Sequence, residues 1–460
     1  MKKRTALIMF LLISMLLLLS SCAHDTDAEE RTLWIVTEES RITDGMNWQT
    51  QQIMKAFKKA NPEVTVTLEI LPNEKDHAQE RSVRLEQIRT DTLAGKGPDV
   101  YLIPNETIMN DPLFKDVQQA MHNGVFADIS SYYDADTDLG KEDLVTEVMD
   151  GGVVNGARYV LPLRYTYPVL YTDRQLMQAA GHDLEAASDF NSLFNALLST
   201  SEQQWHCTPA SSAATGYAPF LPPMIDYASG KVLINEAQMS DLLRKYQGKA
   251  DTVATSFGMS SYISKGTFFT EQQPIDIGWL HNAVTLSAIS KTENQDLVAI
   301  PVRAADGDLV ACVSYYAAVG NGCSNPELAY EFVREFLTED VQFEQERLEL
   351  SKYSAQTIAT GLPVRSKGKT DELWTMYKKI NKGFGSDEEQ TRRKKAVMAV
   401  SLTQADVPIL DTHIDRVYFA TSFDQQAMVD AVRKVLFEQA DIDTVAKDLI
   451  FQLQIHAAEG

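Results

Sequence analysis

Between Leu33 and Ile103 the apolar residues switch repeatedly between strand-like and helix-like spacing, and that alternation restricts the fold more than any other feature of the chain. LWIVT at 33–37 reads as a strand, and Trp48 to Ala60 carries apolar residues at helical spacing before the stop Asn61-Pro62. VTVTLEIL at 64–71 is a second strand, Glu80 to Ala94 a second helix, and VYLI at 100–103 a third strand after the breaker-rich turn Gly95-Lys96-Gly97-Pro98-Asp99. Strands separated by helices pair in parallel, because a parallel partner needs a crossover of a dozen or more residues. The predicted class is therefore α/β.

Further along, GGVVNGARY at 151–159 predicts a hairpin turn leading into VLPL, and Pro162 and Pro168 bracket the aromatic segment Tyr165-Thr166-Tyr167 before the strand VLYT. A chain passing from one domain to another has this character. Helical spacing then dominates from Asp173 to Leu198 and from Glu236 to Tyr246. It gives way to strands at IDIGWL (275–280), LVAIPV (297–302) and LVACVSYYAAVG (309–320). Asn325-Pro326 opens the amphipathic helix ELAYEFVREFL, and the remainder is largely helical apart from an extended interruption at Gly361 to Arg365.

The first residues set the compartment. Lys2, Lys3 and Arg4 precede an apolar run that ends at Leu19-Ser20-Ser21-Cys22, the order of a secretory signal. The run is shorter than the roughly 20 apolar residues that span a bilayer. Its last four residues resemble a bacterial lipobox, in which cleavage leaves Cys22 as the lipidated first residue; the alternative is an ordinary signal peptide cut at small residues. Residues 23–31 are polar and suit a tether. Loss of the leader lowers 42 basic residues to 39 against 64 acidic ones, a net charge of −25. Such a surface repels nucleic acid and anionic lipid. About 440 mature residues exceed one comfortable core, so two lobes are expected.

QQIMKAFKKANPEVTVTLE, RLEQIRTDTLAGKGPDVYLI, RYVLPLRYTYPVLYTDRQLMQAAG, ELAYEFVREFLTEDVQFE, GLPVR and IDTVAKDLIFQLQIHAAE follow one another in an order that resembles the extracellular solute-binding proteins of family 1, the maltose-binding type. The resemblance covers nearly the whole mature chain. It implies a periplasmic-binding-protein-like fold of two α/β lobes with a ligand cleft between them, closed by a hinge. It places crossovers near Tyr159 to Tyr165, Ile275 to Trp279 and Thr338 to Val341. The implied organisation is a leader at 1–21, a lipidated tether at 22–31, one lobe from 32–160 plus 280–338, and a second from 161–279 plus 339–460. The implied partners are a small solute, by family a carbohydrate, and the permease subunits of an ABC importer. A monomer without catalysis, cofactor or metal is expected, lipid-anchored on the extracytoplasmic face of the membrane. A ligand sensor or adhesin, or a polysaccharide-active enzyme, are the competing readings.

Ligands of parallel α/β lobes sit beyond the carboxyl ends of the strands. Glu38 and Glu39 after LWIVT, and Asn105 and Glu106 after VYLI, are therefore candidate partners for sugar hydroxyls, with solvated loop acids as the alternative. The resemblance adds Tyr165 with its neighbour Tyr167 at the first crossover, and Trp279 as a stacking platform for an apolar sugar face. Arg164 and Arg365 offer planar forks for an anion, although structural ion pairing is the preferred reading. Asp134, Asp136 and Asp138 alternate like calcium ligands, but Leu139 and Val145 stand where an EF-hand needs Gly and Glu. Cys312 and Cys323 are free thiols or a pair across the turn at 320–322, and His206-Cys207 lacks any partner of zinc spacing.

Overall fold

A computed structural model of the chain describes residues 31–38, 48–72, 74–104, 111–179, 223–244, 275–279, 297–304, 306–339, 341–342, 361–365, 413–419 and 423–458. The opening segment runs strand β1 (Arg31–Glu38), helix α1 (Trp48–Ala60), strand β2 (Val64–Leu71), helix α2 (Glu74–Leu93) and strand β3 (Val100–Pro104). β1 pairs in parallel with β2 on one side and β3 on the other, as the alternation requires. Ile53, Met54 and Phe57 lie on one face of α1 and are buried, and the Phe57 ring meets Phe332 edge-on at 5.3 Å. Asp116 caps the short helix α3 (Val117–His122), accepting the Gln119 N–H at 2.9 Å.

Beyond α3 the chain forms strand β4 (Val160–Thr166) and, after Tyr167 alone, strand β5 (Pro168–Asp173). Helix α4 (Glu236–Arg244) and strands β6 (Ile275–Trp279), β7 (Leu297–Pro301) and β8 (Val310–Val319) follow. Helix α5 (Pro326–Arg334), strands β9 (Leu362–Pro363) and β10 (Arg416–Phe419), and helices α6 (Phe423–Phe437) and α7 (Ile442–Ala458) lie further along the chain.

These strands form two principal sheets. The larger is mixed, in the order β9-β4-β8-β3-β1-β2 with β10 also on β8, and the smaller is the antiparallel β6-β5-β7. Strand β8 lies antiparallel to β3 and β4, and all ten of its residues are buried, as its near-unbroken apolar sequence demands of a strand covered on both faces. Two hydrophobic cores result. One is built on the large sheet with α1, α2 and α5; the other gathers α4, α6 and α7 with Met224, Ile225 and Val302.

Among the described residues the chain passes from the large sheet to the small one at Tyr167, leaves the first core after Val169, returns to it within 302–309, and passes to the second again between Phe419 and Phe423. β4 thus stays in the large sheet, past the boundary at 160, while β7 belongs to the small one. No described helix is long and apolar enough to cross a membrane. Cys22 and the leader lie outside the described residues.

Candidate functional site

The carboxyl ends of β1, β3 and β4 and the opening of β8 meet on one side of the large sheet. Tyr315 is opposite Pro104, the last residue of β3, so Val310 to Ser314 run past that end and pair instead with β4 and β10. There Cys312 faces Thr166 and Val313 faces Tyr165 across the β8–β4 ladder, and Leu362 of β9 pairs with Tyr165 from the other side. The side chains of Tyr165 and Tyr167 are both buried.

One residue on, the β6–β5 register sets Trp279 opposite Pro168. The three aromatic candidates therefore converge along the chain on the passage from β4 of the large sheet to β5 of the small one. Gly361 closes this region. Its φ of +135° lies outside what L side chains readily adopt, and a Cβ there would come within 2.5 Å of Ser314 Oγ and 2.7 Å of the Tyr165 carbonyl. Ser314 Oγ is buried without a hydrogen-bond partner.

Glu38 has a different role from the one its position at a strand end suggested. Its side chain is 1% exposed, and both oxygens are engaged: Arg81 Nη2 donates at 2.7 Å to one and the Leu113 N–H at 2.8 Å to the other. Arg81 also donates to the carbonyls of Pro72, at 3.1 Å, and Asp111, at 2.9 Å. The pair therefore ties helix α2 and the loop after β3 to the end of β1. Burial raises the Glu38 carboxyl above its ordinary value, with the Arg81 charge and the Leu113 N–H opposing. With both oxygens already taken by protein donors, this carboxylate is a structural partner and not a solvated loop acid. Tyr316 lies nearby, its buried hydroxyl pushed well above its usual value by burial and then by the Glu38 charge. The companion candidates Glu39, Asn105 and Glu106 lie outside the described residues.

Both candidate anion-binding arginines serve backbone. Arg164 is fully buried and donates to the Gln342 carbonyl at 2.8 Å; Arg365 donates to the carbonyls of Leu337, at 2.8 Å, and Gly140, at 3.1 Å. In the aspartate-rich loop, Lys141 Nζ takes the carbonyls of Tyr133, at 2.8 Å, and Asp134, at 3.0 Å, while Asp136 bonds Arg334 at 2.6 Å. Of the three alternating carboxylates, Asp136 is thus already paired with a protein cation. No group of three potential metal ligands occurs among the described residues.

Cys312 is buried and Cys323 half-buried, both unbridged, and burial pushes each thiol up to about 12. At about 3.3 Å per residue, the strand from Cys312 to Val319 alone separates them beyond bridging distance. His206 and Cys207 are outside the described residues.

Sequence reasoning passed over one cluster altogether. The buried Asp116 carboxylate accepts the Tyr227 hydroxyl in a short hydrogen bond and the Phe423 N–H at 3.2 Å, with His456 Nε2 at 3.5 Å. Asp116 belongs to the first core's segment and its three partners to the second. An isolated Asp in KDVQQ carries no local mark of such partners beyond its place ahead of a helix.

Two α/β units with separate cores, joined by several crossings of one chain, define the two-lobed class of binding proteins. The comparisons identify the branch. Residues 47–343 match the bacterial extracellular solute-binding protein family, and the chain belongs to that family. An oligogalacturonide-binding protein from Yersinia enterocolitica superposes with a TM-score of 0.54 at 16% identity, covering 93% of this chain and 99% of its own. An ABC transporter solute-binding protein from Thermotoga lettingae TMO, bound with α-D-tagatose, gives 0.54 at 12% identity over 93% and 100%. A de novo designed cysteine esterase, ECH19, gives 0.56 at 16% identity over 94% and 98%. At these identities the likeness is one of fold, and a fold shared by receptors and a designed esterase does not by itself assign chemistry. No curated protein matches the chain in sequence.

Proposed function

We propose that this chain is the lipid-anchored, extracytoplasmic receptor of an ABC importer, capturing a sugar or oligosaccharide by hinge closure and delivering it to the membrane permease. The observation that carries the reading is the pair of separate cores joined where the aromatic residues gather, in a chain of the solute-binding family. One lobe is then built on the large sheet and the other on the small sheet with α4, α6 and α7. A solute touching both favours the closed form by its differential affinity, and the permease distinguishes loaded from empty receptor. Cys22 carries the lipid. Tyr165, Tyr167 and Trp279 line the crossing side of the cleft, with Glu39, Asn105 and Glu106 following the strand ends, while Glu38 holds the loops that present them. Two structural relatives, one bound with α-D-tagatose and one that binds oligogalacturonide, agree with an aromatic-lined site, because apolar sugar faces stack on such rings.

A thermal-shift screen of residues 23–460 against sugars, oligosaccharides, sugar acids, polyamines and phosphate esters tests this. Ligand at 100 times its dissociation constant adds about 2.7 kcal/mol. A carbohydrate hit that weakens in Trp279→Ala supports the reading. If no carbohydrate shifts the midpoint, or a candidate polysaccharide is turned over in a reducing-sugar assay, it fails.

A further inference from the structure

The contact between the two cores at Asp116 has the form of a catch. Oδ1 stays within the first unit, capping α3 through the Gln119 N–H. Oδ2 faces the second unit, where it takes the Tyr227 hydroxyl and the N–H of Phe423, the first residue of the 15-residue helix α6. One carboxylate, 1% exposed, thus serves the positive ends of two helices that belong to different cores.

Around it, Gln119 Nε2 donates to the His456 carbonyl at 3.1 Å, and the Phe423 ring stacks on His456 at 4.1 Å. Burial, and then the Asp116 charge, raise the Tyr227 hydroxyl far above its usual value, so it remains a protonated donor. A charge so enclosed keeps its partners only while the units are together. Separation exchanges them for water.

We propose that Asp116 and Tyr227 form a latch across the two lobes that holds the closed arrangement and so sets how much of the binding energy of a solute is spent on closure. The proposal rests on the hinge-closing reading above. It goes beyond that reading by placing the control of closure in a polar contact rather than in the residues that touch solute. Where the closed form is only partly populated, apparent affinity falls in proportion to that fraction. Weakening the latch therefore lowers affinity for every solute alike, without changing which solute is preferred.

Small-angle X-ray scattering of the solute-free mature chain, with Asp116→Asn and Tyr227→Phe, tests this. Asp116→Asn keeps the oxygen that caps α3 but turns an N–H group toward two donors; Tyr227→Phe removes one donor and leaves its ring in place. Both are expected to raise the radius of gyration, with the closed-to-open ratio falling about tenfold, the equivalent of about 1.4 kcal/mol. An unchanged radius in both variants overturns the latch. So does a lowered urea midpoint with no change in radius, since the contact would then be interior packing only. The measurement needs no solute, so a chain that fails the thermal-shift screen still reports on the latch. A chain that binds sugar with unaltered scattering keeps its receptor role and loses the latch.

Discussion

Removing Arg81 tests a deeply enclosed charge pair in the described core. In Arg81→Met the hydrophobic stem is retained, but the Glu38 carboxylate, at 1% side-chain exposure, loses the guanidinium 2.7 Å away. The carbonyls of Pro72 and Asp111 lose a donor as well. Breaking a buried pair from one side typically costs about 3–5 kcal/mol. For a lobe of 150–250 residues that lowers the melting temperature by roughly 6–20 °C.

The pH dependence carries the sharper test. Burial already raises the Glu38 carboxyl, and without Arg81 to oppose it the folded value rises further. An acid whose folded pKa exceeds its unfolded value contributes stability that is complete below the unfolded value and lost as pH rises through the folded one. The variant's deficit should be largest at neutral pH and shrink toward pH ~4, near the unfolded value of Glu. Urea unfolding followed by tryptophan fluorescence reads this, with Trp34 on β1 as a reporter in the same sheet. A deficit below about 1 kcal/mol at pH 7, or one that does not shrink in acid, would refute the buried-pair account. Glu38→Gln combined with Arg81→Met should recover part of the loss, because the unpaired charge is then gone.

Two further outcomes follow from local geometry. Gly361→Ala places a methyl group 2.5 Å from Ser314 Oγ at a φ of +135°, and is expected to cost about 1–3 kcal/mol of stability, read as a lowered urea midpoint; an unchanged midpoint would mean that the backbone entering β9 relaxes freely. Burial works to raise the Asp136 carboxyl, but its hydrogen bond to Arg334 and the Arg334 charge outweigh it and hold the group below its ordinary value. Its stabilising share is therefore present above that value and lost as pH falls through the lowered one. The difference between wild type and Asp136→Asn in thermal melts should be full at neutral pH and close in acid; a gap that stays constant would place the loss in packing rather than charge.

The sheet-forming part of the chain was legible because its signals are local. Period and breaker residues place β1, β2, β3 and β8 within a residue or two. Helix α2 is kinked at His77 (φ −134°, ψ 36°), so the expected start at Glu80 falls close to its regular part, while the turn before the kink, in EKDHAQ with no apolar face, is marked by no period. The site was less legible. Nothing near Glu38 announces that Arg81, 43 residues away, will take its carboxylate, and a strand-end acid reads the same whether it meets solvent or a guanidinium. Asp116 finds partners 111 and 307 residues distant. The crossings are long-range too: proline and aromatic residues marked the passage near Tyr167, whereas the passages at 302–309 and after Phe419 have no compositional flag.

The kind of contact between the cores bears on what this fold can do. Each core is apolar and closed on itself, with β8 at the centre of one and α7 buried along one face in the other. The described contacts of Asp116 and Gln119 with the second unit are hydrogen bonds to a hydroxyl, a helix N–H and a carbonyl. Water replaces such partners on opening at a net cost of about 0.5–3 kcal/mol each, whereas an extended apolar interface loses energy with every Å² exposed. On the proposed hinge, a polar joint such as that at Asp116 leaves closure near balance, where a solute's own contacts decide the state. The same logic disfavours moving the Asp116 contact toward apolar packing. A well-fitted hydrophobic substitution at both Asp116 and Tyr227 would stabilise closure and reduce the response to solute that a receptor of this class requires.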